Sequence, residues 1–180
     1  MDANAEKVQE EMTVKDYTLC FITYSVIGWL YEVALCLIEG CGFVNRGFCF
    51  GPWLPVYGVG GLLILVLCRK FSPEINPIFL VFASALFAAL VELLTTYALD
   101  ITGVGFETLW DYHDEFANFQ GRIALIPAFR FGILAMFILK LVQPWLEKIS
   151  SRVPKAVVFG LAFVFLADVI THIVIGSNYA

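Results

Sequence analysis

Five ionisable residues stand inside long apolar runs of this sequence: Glu32, Glu92, Arg130, Asp168 and His172. A charged side chain at the centre of a membrane helix costs about 2.5–3.5 kcal/mol on insertion scales, so we expect these groups to face the interior of a helix bundle. A guanidinium pairs with one or two carboxylates, and His172 lies on the helix face of Asp168, where it could bind the acid or relay a proton.

The predicted depths of these groups coincide. At a rise of about 1.5 Å per residue, the three acids lie about two-thirds of the way outward along their helices, and Arg130 descends to a similar depth. One arginine cannot neutralise three acids, so the surplus must be protonated, bind a cation or face water. The sequence therefore predicts a polar cluster that handles a substrate or an ion. The alternative is a set of polar contacts that only fixes helix packing, and for His172 alone this alternative is favoured.

Composition decides which elements carry these groups. Of 180 residues, 60% are hydrophobic and 15% are charged, whereas soluble domains have about 25% charged residues. This excludes a soluble enzyme domain, a nucleic-acid-binding module and a secreted disulfide scaffold. Because backbone groups must be paired in hydrocarbon, we predict an all-α integral membrane fold. The five predicted transmembrane helices are 16–38, 53–67, 77–99, 123–142 and 155–175. The second begins in a Gly- and Pro-rich stretch and is predicted to be broken, tilted or preceded by a re-entrant segment.

The basic residues predict the orientation. Eight of them fall on one side of the predicted spans: Lys7, Lys15, Arg69, Lys70, Lys140, Lys148, Arg152 and Lys155. Only Arg46 and Arg122 fall on the other side, which favours a cytoplasmic N-terminus and an external C-terminus. The predicted organisation is a cytoplasmic tail at 1–15 without a signal peptide, a five-helix domain at 16–176 and a short outer tail at 177–180.

The two outer segments, 39–52 and 100–122, are rich in glycine and aromatic residues. They are predicted to fold back onto the bundle, or else to form an aromatic belt at the membrane interface. Each follows a helix that carries a glutamate, which indicates a weak internal repeat. Cys41 and Cys49 share the first segment and could form a disulfide in an oxidising compartment. Neither a nucleotide-binding motif nor the spacing of a metal site is present, so we expect no cofactor and no metal.

Several motifs in this order are shared with a known family. They are Gly28-Trp29 with Glu32, Asn45-Arg46-Gly47-Phe48 with Gly51-Pro52 and Pro55-Val56-Tyr57-Gly58, Glu92, and Trp110-Asp111-Tyr112 with Asn118, Gly121 and Arg122. From about Tyr17 to the fourth helix the chain resembles the bacterial family of ABC-transporter permeases labelled CmpB-like. It departs from the usual pattern at Cys49 and His113. The outer residues Asn45, Arg46, Asp111, Asn118 and Arg122 belong to these motifs and are candidate functional residues.

The resemblance implies a multi-pass permease of the bacterial cell membrane and no enzyme. The chain has no ATP-hydrolysing motif, so an ABC-type permease needs a separate cytosolic ATPase. The segment between Gln143 and Pro154 is the candidate docking site, or else a short interfacial helix. Small five-helix chains often need a partner to enclose a pathway, so we expect a homo-oligomer in the lipid bilayer. The acidic net charge argues against nucleic acid.

Two other functions fit the same residues. In the first, the chain is an intramembrane lipid-modifying enzyme, or binds lipid head groups, with its outer arginines on a phosphate. In the second, it is a structural or sensory membrane protein whose polar cluster only holds the helices together.

Overall fold

The described residues form helices, with irregular segments before the second and the fourth helix. In the computed structural model, the described residues are 11–40, 42–45, 49–71, 76–102 and 110–176. They contain α1 (Val14–Ile38), α2 (Pro55–Phe71), α3 (Pro77–Thr102), α4 (Leu125–Ser150) and α5 (Lys155–Gly176). All but α2 contain a stretch long and apolar enough to cross a membrane. The predicted all-helical fold with five helices is confirmed.

Helix α4 continues beyond the predicted end of its span. It runs through Gln143 to Ser150, with one π-helical turn at Ile138–Val142. Pro144 has no N–H to donate, and the wider turn comes directly before it, where the α-helical hydrogen bond is missing. The residues that follow position 142 are therefore the last turns of α4 and do not form a separate short helix.

The first turn of α1 is a capping box that also binds the end of α4. The Thr13 N–H donates to Asp16 Oδ2 at 2.8 Å, and the Asp16 N–H donates to Thr13 Oγ1 at 3.4 Å. Asp16 also accepts from the Ser150 hydroxyl. Lys15 Nζ lies 2.5 Å from the carbonyl oxygen of Ser150 and 3.5 Å from that of Val153. A lysine ammonium thus binds the last carbonyl of α4 and a carbonyl of the turn that follows it.

We expect Lys15→Met to destabilise this junction. The lysine side chain is only 12% exposed, and a hydrogen bond that involves a charged group contributes about 1.5–3 kcal/mol. The free energy of unfolding, measured by SDS titration in mixed micelles, should fall by about 1–2 kcal/mol because methionine keeps the apolar stem of the side chain. Lys148→Met, at an exposed position of the same helix end, should change it by less than about 0.5 kcal/mol. Equal losses in the two variants would contradict this role for Lys15.

The chain divides into two compact units. The first comprises Met1–Gly58 and Leu146–Ala180, and the second comprises Val59–Trp145. The first unit therefore holds α1, the segment that leads into α2, the last turn of α4, and α5. The second holds α3 and most of α2 and α4. Each unit contains one of the two glutamates of the predicted repeat.

Helices α3 and α4 of the second unit approach closely through small residues. Ala85 and Ala88 on α3 and Ala128 and Ala135 on α4 are all buried. A Cβ atom added to Gly132 of α4 would lie 2.3 Å from the carbonyl oxygen of Val81 on α3. The missing side chain therefore sets the distance between the two helices, as at the contacts of many membrane helices.

Candidate functional site

Two successive peptide groups of the first outer segment lie between Asn45 and Asp168. On one side, Asn45 Nδ2 donates to the carbonyl oxygens of Cys49 at 3.3 Å and Phe50 at 3.1 Å. On the other side, the Phe50 N–H donates to Asp168 Oδ1 at 3.2 Å and the Gly51 N–H to Asp168 Oδ2 at 2.9 Å. Since a trans peptide directs its C=O and N–H in opposite directions, one amide and one carboxylate fix both peptide groups.

Two tryptophans complete this arrangement. Trp29 Nε1 donates to Asn45 Oδ1 at 2.6 Å, which sets the orientation of the asparagine amide. Trp53 Nε1 donates to Asp168 Oδ2 at 2.6 Å. Asp168, which is half-buried on α5, therefore accepts hydrogen bonds from three N–H groups. The ring of His172, one turn further along α5, packs against Phe50 with centroids 5.0 Å apart.

The chain then returns to α1, where Glu32 meets a tyrosine. The Leu54 N–H donates to the Ser25 carbonyl at 2.9 Å, about two turns from Glu32. Helix α2 starts at Pro55, a residue suited to the first helical position. The hydroxyl of Tyr57 donates to Glu32 Oε1. Gly28 makes room for this tyrosine, because an added Cβ would lie 2.2 Å from Tyr57 Cγ.

The second unit has a similar tyrosine–glutamate pair. Tyr112 OH lies 3.3 Å from Glu92 Oε1, so the segment after α3 folds back over that helix. Asn118 holds this segment together, because its Nδ2 donates to the carbonyls of His113 at 3.0 Å and Glu115 at 2.9 Å. Its Oδ1 accepts from the Gly121 N–H at 3.1 Å. Each unit therefore contains an asparagine amide that binds two backbone carbonyls and a tyrosine that donates to a glutamate on a helix.

Arg122 is held by residues near the end of α3. Its Nη2 lies 2.5 Å from Asp100 Oδ2, and its Cζ lies 4.6 Å from the centre of the Tyr97 ring. Tyr97 also binds the same loop, with its hydroxyl 3.1 Å from Gln120 Oε1. An opposite charge and an aromatic face thus bind the guanidinium, which fits a role in anchoring the loop.

Asp111 lies in an exposed turn beside His113. Its Oδ1 accepts from the His113 N–H at 2.9 Å and lies 2.5 Å from the imidazole Nδ1. The backbone hydrogen bond, together with the ring, holds the pKa of Asp111 below its usual value. Gly121, at φ +67°, lies under the imidazole, and an added Cβ would be 2.3 Å from His113 Nδ1. The turn is thus packed around the His113 ring.

The structure describes four of the five outer motif residues, and Arg46 lies outside the described part. It brings Asn45 and Asp168 to opposite sides of the same peptide groups. Glu32, Asp168 and His172 belong to the first unit, while Glu92 and Arg130 belong to the second. The convergence of all five on one cluster stays a prediction. Among the described residues, no group of three His, Cys, Asp or Glu side chains is placed to hold a metal ion.

The predicted cysteine pair is only half described. Cys49 is a free thiol that is 3% exposed, and Cys41 lies outside the described residues. Burial and the nearby Asp168 carboxylate raise the pKa of Cys49. A thiol with a raised pKa stays protonated at neutral pH and reacts slowly.

Sequence reasoning missed the partners of the candidate acids. Tyr57 and Tyr112 stand inside the quoted motifs, but their aromatic character is equally typical of an interface belt. The backbone N–H groups that bind Asp168 could not be identified from the sequence, because nearly every residue type supplies an N–H. No feature of the sequence marked Trp53 as a partner of Asp168. The pair of Asp100 and Arg122 could have been found from the sequence. The two residues have opposite charges and stand at the two ends of the predicted segment 100–122, which are expected to lie at the same membrane face.

Helices of this length and apolarity, with carboxylates bound by protein donors, define a multi-pass helical membrane protein. The chain matches the family described as "Putative ABC-transporter type IV", the CmpB family, over residues 19–176. It belongs to that family. No curated protein and no solved structure matches the chain.

Proposed function

We propose that this protein is the membrane-spanning subunit of an ABC-type transporter of the bacterial cell membrane, and that it carries no enzymatic activity of its own. The observation that supports this most is the recurrence of an intramembrane glutamate bound by a tyrosine hydroxyl, once in each unit. A group that costs several kcal/mol in hydrocarbon is therefore found twice, each time beside a tyrosine hydroxyl. Intramembrane carboxylates of this kind are typical of solute and ion pathways.

In this proposal all five helices cross the bilayer, with the N-terminal tail 1–15 in the cytoplasm and the tail 177–180 outside. Glu32, Glu92, Arg130, Asp168 and His172 line or support the pathway. The outer residues Asn45, Arg46, Asp111, Asn118 and Arg122 shape its external mouth. The chain works as a homo-oligomer, because five helices enclose little space alone.

A separate ATPase would supply the energy. We propose that it docks between Gln143 and Pro154, where the last turns of α4 place apolar and charged groups at the surface. Trp145 is 55% exposed, and Glu147 and Lys148 beside it are exposed as well. Leu146 of the same turn is buried and anchors it. A coupling surface of this kind needs apolar area at its centre and charges at its rim.

The test compares strains that lack the protein and are complemented with variants of the full chain. Glu32→Gln and Glu92→Gln keep the shape of the side chain and remove its charge, so we expect both to leave the profile of small solutes inside and outside the cell at the level of the deletion strain. Glu39→Gln makes the same change at an exposed position just after α1 and should restore the wild-type profile. All variants are first checked for equal amounts of monodisperse protein in detergent.

The same preparations test the ABC-type assignment. The tagged wild-type chain should purify with a stoichiometric ATPase and with ATP hydrolysis that vanadate inhibits. A stable preparation without any ATPase would contradict the ABC-type proposal. Full restoration by both glutamine variants would contradict a role for the intramembrane acids in transport. An altered lipid profile with unchanged solutes would favour the lipid-modifying alternative.

A further inference from the structure

The Asp168 carboxylate is bound in the way a protein binds a free anion. Two successive backbone N–H groups and one indole N–H converge on its two oxygens, at 3.2, 2.9 and 2.6 Å. Backbone N–H groups that converge on one point are common binding sites for anions in proteins. Here, the anion is supplied by the chain itself, from a helix more than a hundred residues away in sequence.

The donors are also held by contacts that do not involve the Asp168 carboxylate. Asn45 binds the carbonyls of Cys49 and Phe50 and so orients the N–H groups of Phe50 and Gly51 from behind. Trp29 in turn orients Asn45. The Trp53 ring packs edge-on against Phe165, with centroids 5.8 Å apart, which positions its indole. Preorganised donors of this kind bind an anion at little conformational cost.

The geometry favours a carboxylate over other anions. One N–H donates to Oδ1 and two donate to Oδ2, so the donors match the two oxygens of a planar group. None of the three donors is a charged side chain, and a doubly charged phosphate would lack neutralisation by them.

We propose that the N–H groups of Phe50, Gly51 and Trp53 form a carboxylate-binding site, which Asp168 occupies as an internal ligand. When the Asp168 side chain leaves these donors, the site accepts the carboxylate of a solute. This last step rests on the proposed transport function, and it identifies the transported solute as a carboxylic acid. The existence of the binding site does not depend on transport. Because Asp168 is tethered, its effective concentration is high and it excludes free anions in the present state.

Thermal unfolding of the purified full chain tests the site, with sodium formate as the probe and sodium chloride at equal ionic strength as the reference. Asp168→Ala removes the internal ligand, so its Tm should fall and then rise with formate to a plateau that recovers most of the loss. Asp168→Asn keeps the side-chain volume and should fold readily. Its side chain still fills the site, and its amide oxygen still accepts from the donors, so formate should raise its Tm by much less than that of Asp168→Ala.

Wild-type protein should show no formate-specific shift, and neither should Asp114→Ala or Asp114→Asn, which make the same changes at an exposed aspartate of the other unit. Adding Trp53→Phe to Asp168→Ala should weaken the formate response, because one donor is lost. A lack of formate response in Asp168→Ala, a response of Asp168→Asn as large as that of Asp168→Ala, or an equal response in the Asp114 variants would overturn the site. A larger shift with phosphate than with formate would overturn its preference for carboxylates. The experiment measures thermal unfolding and involves no transport. A negative formate result would therefore not contradict the proposed transport function, and a negative transport result would not contradict the carboxylate site.

Discussion

Replacing Gly132 by alanine should lower the free energy of unfolding by about 1–3 kcal/mol, the usual cost of forcing a methyl group into a packed contact. The new Cβ would lie 2.3 Å from the Val81 carbonyl oxygen and 3.2 Å from Ala85 Cβ. The nearest atom belongs to the backbone of α3 and cannot turn away as a flexible side chain would. Helices α3 and α4 must therefore separate, and the contact between Phe82 and Phe129, now 5.2 Å between ring centroids, should loosen.

A matched control uses a glycine whose helix position is open. An added Cβ at Gly160 of α5 meets nothing within 4 Å, so Gly160→Ala should stabilise the protein by about 0.5–1 kcal/mol through the lower entropy of the unfolded chain. SDS titration of both variants measures the change in the free energy of unfolding, which should be negative for Gly132→Ala and positive for Gly160→Ala. If Gly132→Ala were as stable as Gly160→Ala, the conclusion that α3 and α4 are in close contact at Gly132 would be wrong.

The helices were predictable because the membrane imposes a simple requirement. Each run of apolar residues had to pair its backbone groups internally, and helices at all five predicted places follow from that. The end of α4 was less predictable, since Gln143 and Pro144 look like a break in the sequence. The structure accommodates the proline with a π-helical turn and continues to Ser150.

The candidate acids were predictable from their cost in hydrocarbon, but their partners were not. Asp168 is bound by two backbone N–H groups and an indole, and backbone donors leave no trace in residue types. Trp29 could equally have been a lipid anchor, yet its indole donates to Asn45. Which donors reach an acid depends on how the outer segment folds back, and this is set by tertiary contacts such as the bond from Leu54 to Ser25.

The two tyrosine–glutamate pairs should differ in strength. The hydroxyl of Tyr57 donates to Glu32 beside the tight contact with Gly28, whereas Tyr112 OH lies 3.3 Å from Glu92, which is long for a hydroxyl donor. When a carboxylate inside the protein loses a hydroxyl donor, the free energy of unfolding falls by about 1–3 kcal/mol. We therefore expect Tyr57→Phe to destabilise the protein by about 1–3 kcal/mol and Tyr112→Phe by less than about 1 kcal/mol.

Double-mutant cycles separate the pairs from other effects of each substitution. The cycle of Tyr57→Phe with Glu32→Gln should give a coupling energy of about 1–2 kcal/mol in SDS titration, and the cycle of Tyr112→Phe with Glu92→Gln a smaller one. Tyr17→Phe, at the start of α1, serves as the control for loss of a tyrosine hydroxyl and should not couple to Glu32, about four turns away on the same helix. Coupling near zero in the first cycle would mean that the two groups contribute independently. A further outcome is possible, in which both cycles give coupling but Glu32→Gln and Glu92→Gln still support transport. The two tyrosine–glutamate pairs would then stabilise the fold without a role in transport, because solute movement would not depend on the charge of these carboxylates.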